Sequence, residues 1–305
     1  MKTVAYFPTF KRKFFFSKSK KGKILLKQFY QPYNFFTSLF CLICEFTPFL
    51  SNLFSTEIKN LPLGFNTIQN ILGWQHIDFV LSGGAGSERK LTGLFVNGIT
   101  GEKVFFKYAT SALARKLLQN EVNILSTLSL PTFPILLNNG TQINKDVWFV
   151  SSVFEGCKYN NAIMTKGIIE LILQINKVPY PICENVNKEL THAFSHGDFC
   201  PWNLVINQKS EIKIIDWEMA GPYLLGYDLF TFIFQSSFLL SPKKNPAVLM
   251  HENIYWFTYY FNAKQIKDYR PYLLAFALLK LKKETIKNNK ILIRNYQKLI
   301  KSIPI

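Results

Sequence analysis

The chain has 305 residues, with 36 Lys and Arg against 19 Asp and Glu, a net charge of +17, and 48% hydrophobic residues. A chain this long and apolar can bury a large core, which excludes a disordered tail or a peptide hormone and fits two domains or two lobes. Five Cys, an odd number, offer no disulfide framework and predict a reducing compartment. The basic excess is 31 Lys to 5 Arg. Readers of nucleic acid lean on Arg for bidentate base contacts, so this Lys-dominated excess argues against a nucleic-acid partner.

Residues 1–60 stand apart. Basic runs at Lys11-Arg12-Lys13 and from Lys18 to Lys23 alternate with Phe14-Phe15-Phe16 and Ile24-Leu25-Leu26. No compact apolar region with a small-residue cleavage site follows, so a signal peptide is not expected. The apolar stretch from Phe35 to Phe54 is long enough to span a bilayer, but Glu45 sits near its middle and Pro48 follows. Amphipathic helices are expected there instead, packed on the body of the protein. The second expectation is a peripheral contact with the inner face of a membrane.

From Ile77 the pattern changes to strands at Phe79–Leu81, Leu91–Val96 and Lys103–Tyr108, with a hairpin turn at Gly98–Gly101. Ser82-Gly83-Gly84-Ala85-Gly86-Ser87 reads as a tight glycine turn. A helix is predicted over Ser111–Leu128 and another strand over Val147–Phe154. The remainder is predicted to be mostly helical. The helices run over Ala162–Lys177, Asn185–Phe194, Tyr227–Leu240, Ala247–Phe261, Ala263–Lys283 and Ile286–Lys301. One short hairpin, Leu204–Asn207 with Ile212–Ile215, interrupts them.

The strongest chemical signal is His196-Gly197-Asp198-Phe199-Cys200-Pro201-Trp202-Asn203, followed by Ile214-Ile215-Asp216-Trp217-Glu218. Asp198 and Asn203 lie on an irregular loop entering one strand of the hairpin. Asp216 lies at the end of the other. A two-stranded hairpin returns its end to its start, so the three side chains are expected at one mouth. Two carboxylates and an amide oxygen are hard ligands suited to Mg2+, and phosphoryl transfer needs such a set. Asp198 would orient an acceptor hydroxyl and take its proton late, as the bond to phosphorus forms. Asn203 and Asp216 would hold the metal. His196 is expected to brace the loop. Cys200 is expected to pack as a small hydrophobe rather than act as a nucleophile, and Trp202 and Trp217 to pack beside the site.

These residues resemble the aminoglycoside phosphotransferase and choline kinase superfamily, small-molecule kinases with a protein-kinase-like fold. Its catalytic segment has His-Gly-Asp where most protein kinases have His-Arg-Asp. The resemblance makes Asp198 the catalytic base and Asn203 and Asp216 the metal ligands. Asp216-Trp217-Glu218 stands where protein kinases carry Asp-Phe-Gly, with Glu218 in a supporting position. Gly226-Tyr227-Asp228-Leu229 also resembles the family, whose Asp braces the catalytic loop; helix N-capping explains Asp228 as well.

In the small lobe the resemblance gives Lys107, in Val104-Phe105-Phe106-Lys107, to the α- and β-phosphates, and Glu121 as its ion-pair partner. The glycine turn lacks the protein-kinase spacing. The amides of Gly83, Gly84 and Gly86 and the hydroxyls of Ser82 and Ser87 are expected to cradle phosphate, unless it is an ordinary hairpin turn. Arg89 and Lys90 follow it. Ser151 to Gly156 should be the hinge between lobes, with Ser152 and Phe154 holding adenine through the backbone. The resemblance covers residues 77–240.

The expected fold is α+β and protein-kinase-like. Residues 1–60 form an extra N-terminal helical segment, 61–152 a small antiparallel β lobe and 153–305 a larger helical lobe. The expected function is ATP- and Mg2+-dependent phosphorylation of a hydroxyl on a small molecule (a sugar, an envelope saccharide or an amino alcohol), in the cytoplasm. The alternative is a non-catalytic, pseudokinase-like module that binds nucleotide or a partner. From Pro242 onward the only acidic residues are Glu252, Asp268 and Glu284, which argues against a polycationic acceptor.

Overall fold

The computed structural model describes residues 3–8, 13–17, 19–29, 55–57, 65–83, 90–128, 130–141, 145–159, 162–180 and 190–304. The chain divides into two compact units, Met1–Cys157 and Lys158–Ile305.

The first unit is built on an antiparallel sheet of eight strands. They are β1 (Thr3–Pro8), β2 (Lys13–Ser17), β3 (Ser55–Glu57), β4 (Ile77–Gly83), β5 (Leu91–Asn97), β6 (Lys103–Ala109), β7 (Leu136–Thr141) and β8 (Val147–Ser152). Their order across the sheet is β3-β1-β2-β4-β5-β6-β8-β7. Alternation sends successive side chains to opposite faces. On one face Phe15, Phe79, Leu81, Phe95, Val104, Phe106 and Tyr108 pack together with Ile68 of helix α2 (Phe65–Leu72). On the other, Phe16, Val80, Leu94 and Val96 pack with Leu25 of helix α1 (Lys20–Phe29). Both faces of the central strands are therefore dry, which explains why their sequence is nearly continuously apolar.

The N-terminal segment is thus woven into the sheet. Of the helical segment expected there, the described residues contain α1. They also contain three strands that the basic, aromatic sequence did not suggest. Strand β2 pairs with β4 in the register Phe14↔Ser82 and Phe16↔Val80. The amphipathic stretch 35–54 lies outside the described residues, as do Cys41 and Cys44. No helix among the described residues is long and apolar enough to cross a membrane.

Helix α3 (Ala112–Thr127) follows β6 and falls within the predicted range. The Ser111 hydroxyl caps it by accepting from the Ala114 N–H at 3.2 Å. Strand β7 escaped prediction because its sequence, Leu-Leu-Asn-Asn-Gly-Thr, is polar and mostly half-buried or exposed at the sheet edge. An edge strand needs no alternating apolar pattern.

The second unit is mostly helical. Helix α4 (Lys166–Ile175) buries Ile168, Ile169, Leu171, Ile172 and Ile175. Strand β9 (His192–Ser195) pairs antiparallel with β12 (Gly221–Leu224), and β10 (Leu204–Ile206) with β11 (Ile212–Ile214). The helix expected over Asn185–Phe194 is not found in its described part, residues 190–194. Residues 185–189 lie outside the described set, and His192 to Phe194 are strand, because pairing with Gly221–Leu224 satisfies their backbone.

Residues 227–240 form the predicted helix in three parts. They are α5 (Tyr227–Phe230), a π-helical segment (Thr231–Gln235) and α6 (Ser236–Leu240). Helices α7 (Pro246–Ala263), α8 (Arg270–Ile286) and α9 (Lys290–Ser302) follow. The helix predicted from Ala263 begins instead at Arg270. Pro271 has no N–H and its ring excludes a preceding helical turn, so it fits only the first turn of a new helix. Phe230, Phe232, Phe234, Phe257, Phe276 and Tyr296 are almost fully buried and form an aromatic core under the catalytic segment.

Candidate active site

In the second unit the hairpin does what its spacing requires. Leu204 pairs with Ile214 and Ile206 with Ile212. Asn207 closes the turn by accepting from the N–H groups of Lys209 and Glu211, both at 2.9 Å. One residue beyond each strand, the Ile215 N–H donates to the Asn203 carbonyl at 2.9 Å. Asn203 and Asp216 therefore leave the hairpin at one end. Asp216 takes a left-handed conformation, φ 70° and ψ 55°, which Asp tolerates better than most side chains. Glu218 lies in the 3-10 turn Trp217–Met219 that follows.

Asp198 is brought to Asn203 directly. The Asn203 amide donates to the Asp198 carbonyl at 2.9 Å and to Asp198 Oδ2 at 3.2 Å. Those two bonds fix the orientation of the amide. They leave Asn203 Oδ1 with no hydrogen bond among the described residues. An oxygen without a partner on a 5% exposed residue fits a hard cation such as Mg2+. Asp198 is thus bonded to Asn203, and the backbone of Asn203 is paired with Ile215, the residue before Asp216.

Gly197 links His196 to Asp198 at φ 81°, where a Cβ would collide with the Met219 carbonyl. An Arg in the middle of this triplet would need a different backbone here. His196 is fully buried. Its Nε2 lies 3.0 Å from the Ile215 carbonyl, and its Nδ1 accepts from the Asp198 N–H at 3.3 Å. A carbonyl only accepts, so Nε2 carries the proton and the ring ties the two halves of the site together. Trp217 is also fully buried, donating from Nε1 to the Ile214 carbonyl at 2.7 Å and stacking on Phe194. It packs, as expected.

Asp228 is buried beneath the loop. Its carboxylate accepts from the N–H of His196 at 2.7 Å and of Gly197 at 3.0 Å, while Gly226 holds the helix N-cap position. Bracing, not capping, is what its contacts do. Burial pushes its carboxyl up, against the pull of His196 and the two amides. A neutral Asn has one oxygen for two donors. Asp228→Asn is therefore expected to cost about 1–3 kcal/mol of stability, read as a lowered midpoint in urea; an unchanged midpoint would show that the loop needs no brace.

Two further residues were not legible from sequence. Gln235, at the end of the π-helical segment, donates from Nε2 to Asp198 Oδ1 at 2.8 Å. Lys280, on α8, donates to Gln235 Oε1 at 2.7 Å. They lie 37 residues after Asp198 and 45 residues after Gln235, respectively. No motif spacing links them, so only the fold reveals the contact. Burial pushes the Lys280 ammonium down, and the carboxylates of Asp198, Asp228 and Glu284 pull it up. Cys200 is fully buried. Burial, and then the neighbouring Asp198, push its thiol well up, so it is no thiolate nucleophile.

In the first unit Lys107 lies on β6 and Glu121 on α3. The Lys107 ammonium meets both carboxylate oxygens, at 2.8 and 2.7 Å, and both residues are buried. Their fourteen-residue separation, which alone fits any pair of surface charges, is resolved as a bidentate ion pair. Gly83 ends β4, and Ser82 is a buried strand residue rather than part of a loop. Gly84, Gly86, Ser87 and Arg89 lie outside the described residues. Ser152 requires a correction. Its N–H donates to the Ile135 carbonyl at 2.8 Å and its hydroxyl accepts from the Ile135 N–H at 2.9 Å. That N–H is taken by Ile135, the residue before β7, and is not free for an adenine. Phe154 lies beyond the end of β8, outside the strand pairing.

Residues 181–253, which include the whole catalytic segment, match the model of the phosphotransferase enzyme family. The crystal structure of aminoglycoside phosphotransferase APH(4)-Ia superposes with a TM-score of 0.53 over 79% of this chain and 99% of that one, at 11% identity. A thermostable mutant of the same enzyme, in its apo form, gives 0.51 over 78% and 97%, also at 11% identity. The catalytic segment is thus similar to the phosphotransferase enzyme family, and the fold to that of the solved aminoglycoside phosphotransferase. No curated protein matches the sequence. At 11% identity the structural likeness speaks for the protein-kinase-like α+β fold. The family match supports phosphotransferase chemistry in the catalytic segment.

Proposed function

We propose that this chain is an ATP- and Mg2+-dependent phosphotransferase whose acceptor is a hydroxyl of a small molecule that is not a polycation. The observation that carries the reading is the Asp198 carboxylate, held by Asn203 and Gln235 beside the segment that bears Asp216.

Asp198 orients the acceptor hydroxyl and receives its proton. The acceptor oxygen forms a bond to the γ-phosphorus while the bond from that phosphorus to the β–γ bridging oxygen breaks, and ADP leaves. Asn203 Oδ1 and Asp216 would hold Mg2+, which when bound neutralises charge on the phosphates. Lys107, kept in place by Glu121, would meet the α- and β-phosphates.

The acids from residue 242 onward support this acceptor class. Glu252 is exposed and paired with Lys244 at 2.7 Å, and Asp268 is paired with Arg270 at 2.8 Å. Glu284 is buried. From residue 242 onward, no described carboxylate is left exposed and unpaired to receive a cationic acceptor. Neutral sugars, envelope saccharides and other alcohols fit better than polycationic aminoglycosides.

The test is transfer of labelled phosphate from ATP across a panel of sugars, amino alcohols, nucleosides and aminoglycosides. Labelling of at least one neutral alcohol is the expected result. Tight nucleotide binding with no transfer to any of them would favour a binding module, and labelling of aminoglycosides alone would overturn the acceptor class.

A further inference from the structure

Gln235 stands between two groups of fixed hydrogen-bonding sense. Its Nε2 donates to Asp198 Oδ1 at 2.8 Å and its Oε1 accepts from Lys280 Nζ at 2.7 Å. A carboxylate only accepts and an ammonium only donates. Turning the amide over would set N–H against N–H at one end and oxygen against oxygen at the other. Lys280 therefore decides which end of Gln235 faces Asp198. The other carboxylate oxygen has Asn203 Nδ2 at 3.2 Å, so each oxygen of Asp198 meets one amide donor and its plane is set.

Lys280 is poorly explained as a stabilising residue. It is 2% exposed, with its ammonium 4.6 Å from the Tyr227 ring centroid and 5.4 Å from that of Phe276. Among the described residues, Gln235 Oε1 is the one hydrogen-bond acceptor its ammonium reaches. Burying an ion is unfavourable by several kcal/mol, and an apolar side chain in this aromatic setting would avoid that. The backbone beside it is also unusual. Gln235 closes a π-helical turn, and such turns are frequent at functional sites.

The geometry points to Lys280 as a positioning residue for phosphoryl transfer, acting through the Gln235 amide to fix the Asp198 carboxylate. This rests on the phosphotransfer reading above. Lys280 itself touches no reacting atom.

The test uses the full chain as wild type, Lys280→Met, Gln235→Ala and the double variant. The first readout is ADP release from Mg–ATP, with the best acceptor of the panel or with water. Each single change is expected to lower kcat on the order of 10²-fold, the penalty of a misplaced catalytic group, with KM for ATP unchanged. The double variant is expected to be no slower than Gln235→Ala, because Lys280 acts only through that amide. Losses that multiply in the double variant, or wild-type kcat in Lys280→Met, overturn the proposal.

Gln235→Glu guards against misfolding. It keeps a partner for Lys280 but cannot donate to Asp198, so it is expected to be as slow as Gln235→Ala; wild-type kcat there also overturns the proposal. The second readout is independent of turnover. The side-chain amide protons of Gln235, assigned in 15N NMR by their loss in Gln235→Ala, are expected to be protected from exchange in wild type and exposed in Lys280→Met. An unchanged amide in Lys280→Met sinks the relay whatever the activity. A wild type that transfers no phosphate, with the amide behaving as expected, sinks the phosphotransfer reading and leaves the hydrogen-bonded relay standing.

Discussion

Asp198→Asn is expected to lower kcat by about 10²–10⁴-fold, the usual contribution of a positioned general base. The loss corresponds to roughly 3–5 kcal/mol of transition-state stabilisation. KM for ATP should stay near its wild-type value, because the described contacts of Asp198 include neither Lys107 nor Glu121, the pair proposed to meet the nucleotide. The substitution is nearly isosteric, so the fold should survive. Its single oxygen can satisfy either Gln235 or Asn203 but not both, which adds a modest loss of loop order. The measurement is steady-state transfer to the acceptor identified in the screen, with the affinity of a non-hydrolysable ATP analogue determined calorimetrically on the same sample. Turnover within a few-fold of wild type would remove Asp198 from the chemistry. Loss of analogue binding together with turnover would point to a structural role instead.

What the sequence disclosed and what it hid divide by the range of the interaction. Asp198, Asn203 and Asp216 were legible because a hairpin with a short turn fixes their separation, and its pairing is local. Lys107 and Glu121 were legible through the family resemblance and their order before the catalytic segment, with β6 leading straight into α3. Gln235 and Lys280 were not. They meet Asp198 through the packing of a π-helical turn and a distant helix, and no periodicity records such a contact. Strand β12 and strand β9 were hidden for a related reason. Each is four residues long and owes its state to a partner elsewhere in sequence. The N-terminal strands carried an aromatic and basic pattern that suits an amphipathic helix equally well. Only the pairing of Phe15 and Phe16 with Leu81 and Val80 decides between the two. The Ser152 N–H goes to Ile135, which position in a strand does not foretell.

The buried Lys107–Glu121 pair supplies the other large expected effect, and on stability as well as turnover. Glu121→Ala removes two oxygens within 2.8 Å of an ammonium on a 5% exposed residue. Breaking a buried pair by deleting one partner typically costs about 3–5 kcal/mol. That is a large share of the stability of an ordinary domain, so the midpoint of urea unfolding should fall clearly. Replacing both partners, Lys107→Met with Glu121→Leu, leaves no stranded charge and is expected to recover most of that stability, since apolar substitutes for a buried pair are often neutral. Activity should separate from stability in the same variants. Lys107→Met removes charge-assisted bonds worth about 1.5–3 kcal/mol each, so kcat/KM for ATP should drop about 10- to 100-fold per lost bond. The stable double variant should show that loss in full. If it regained both stability and ATP turnover, the pair would be architecture alone. If Glu121→Ala melted like wild type, the two groups would not be coupled despite their contact.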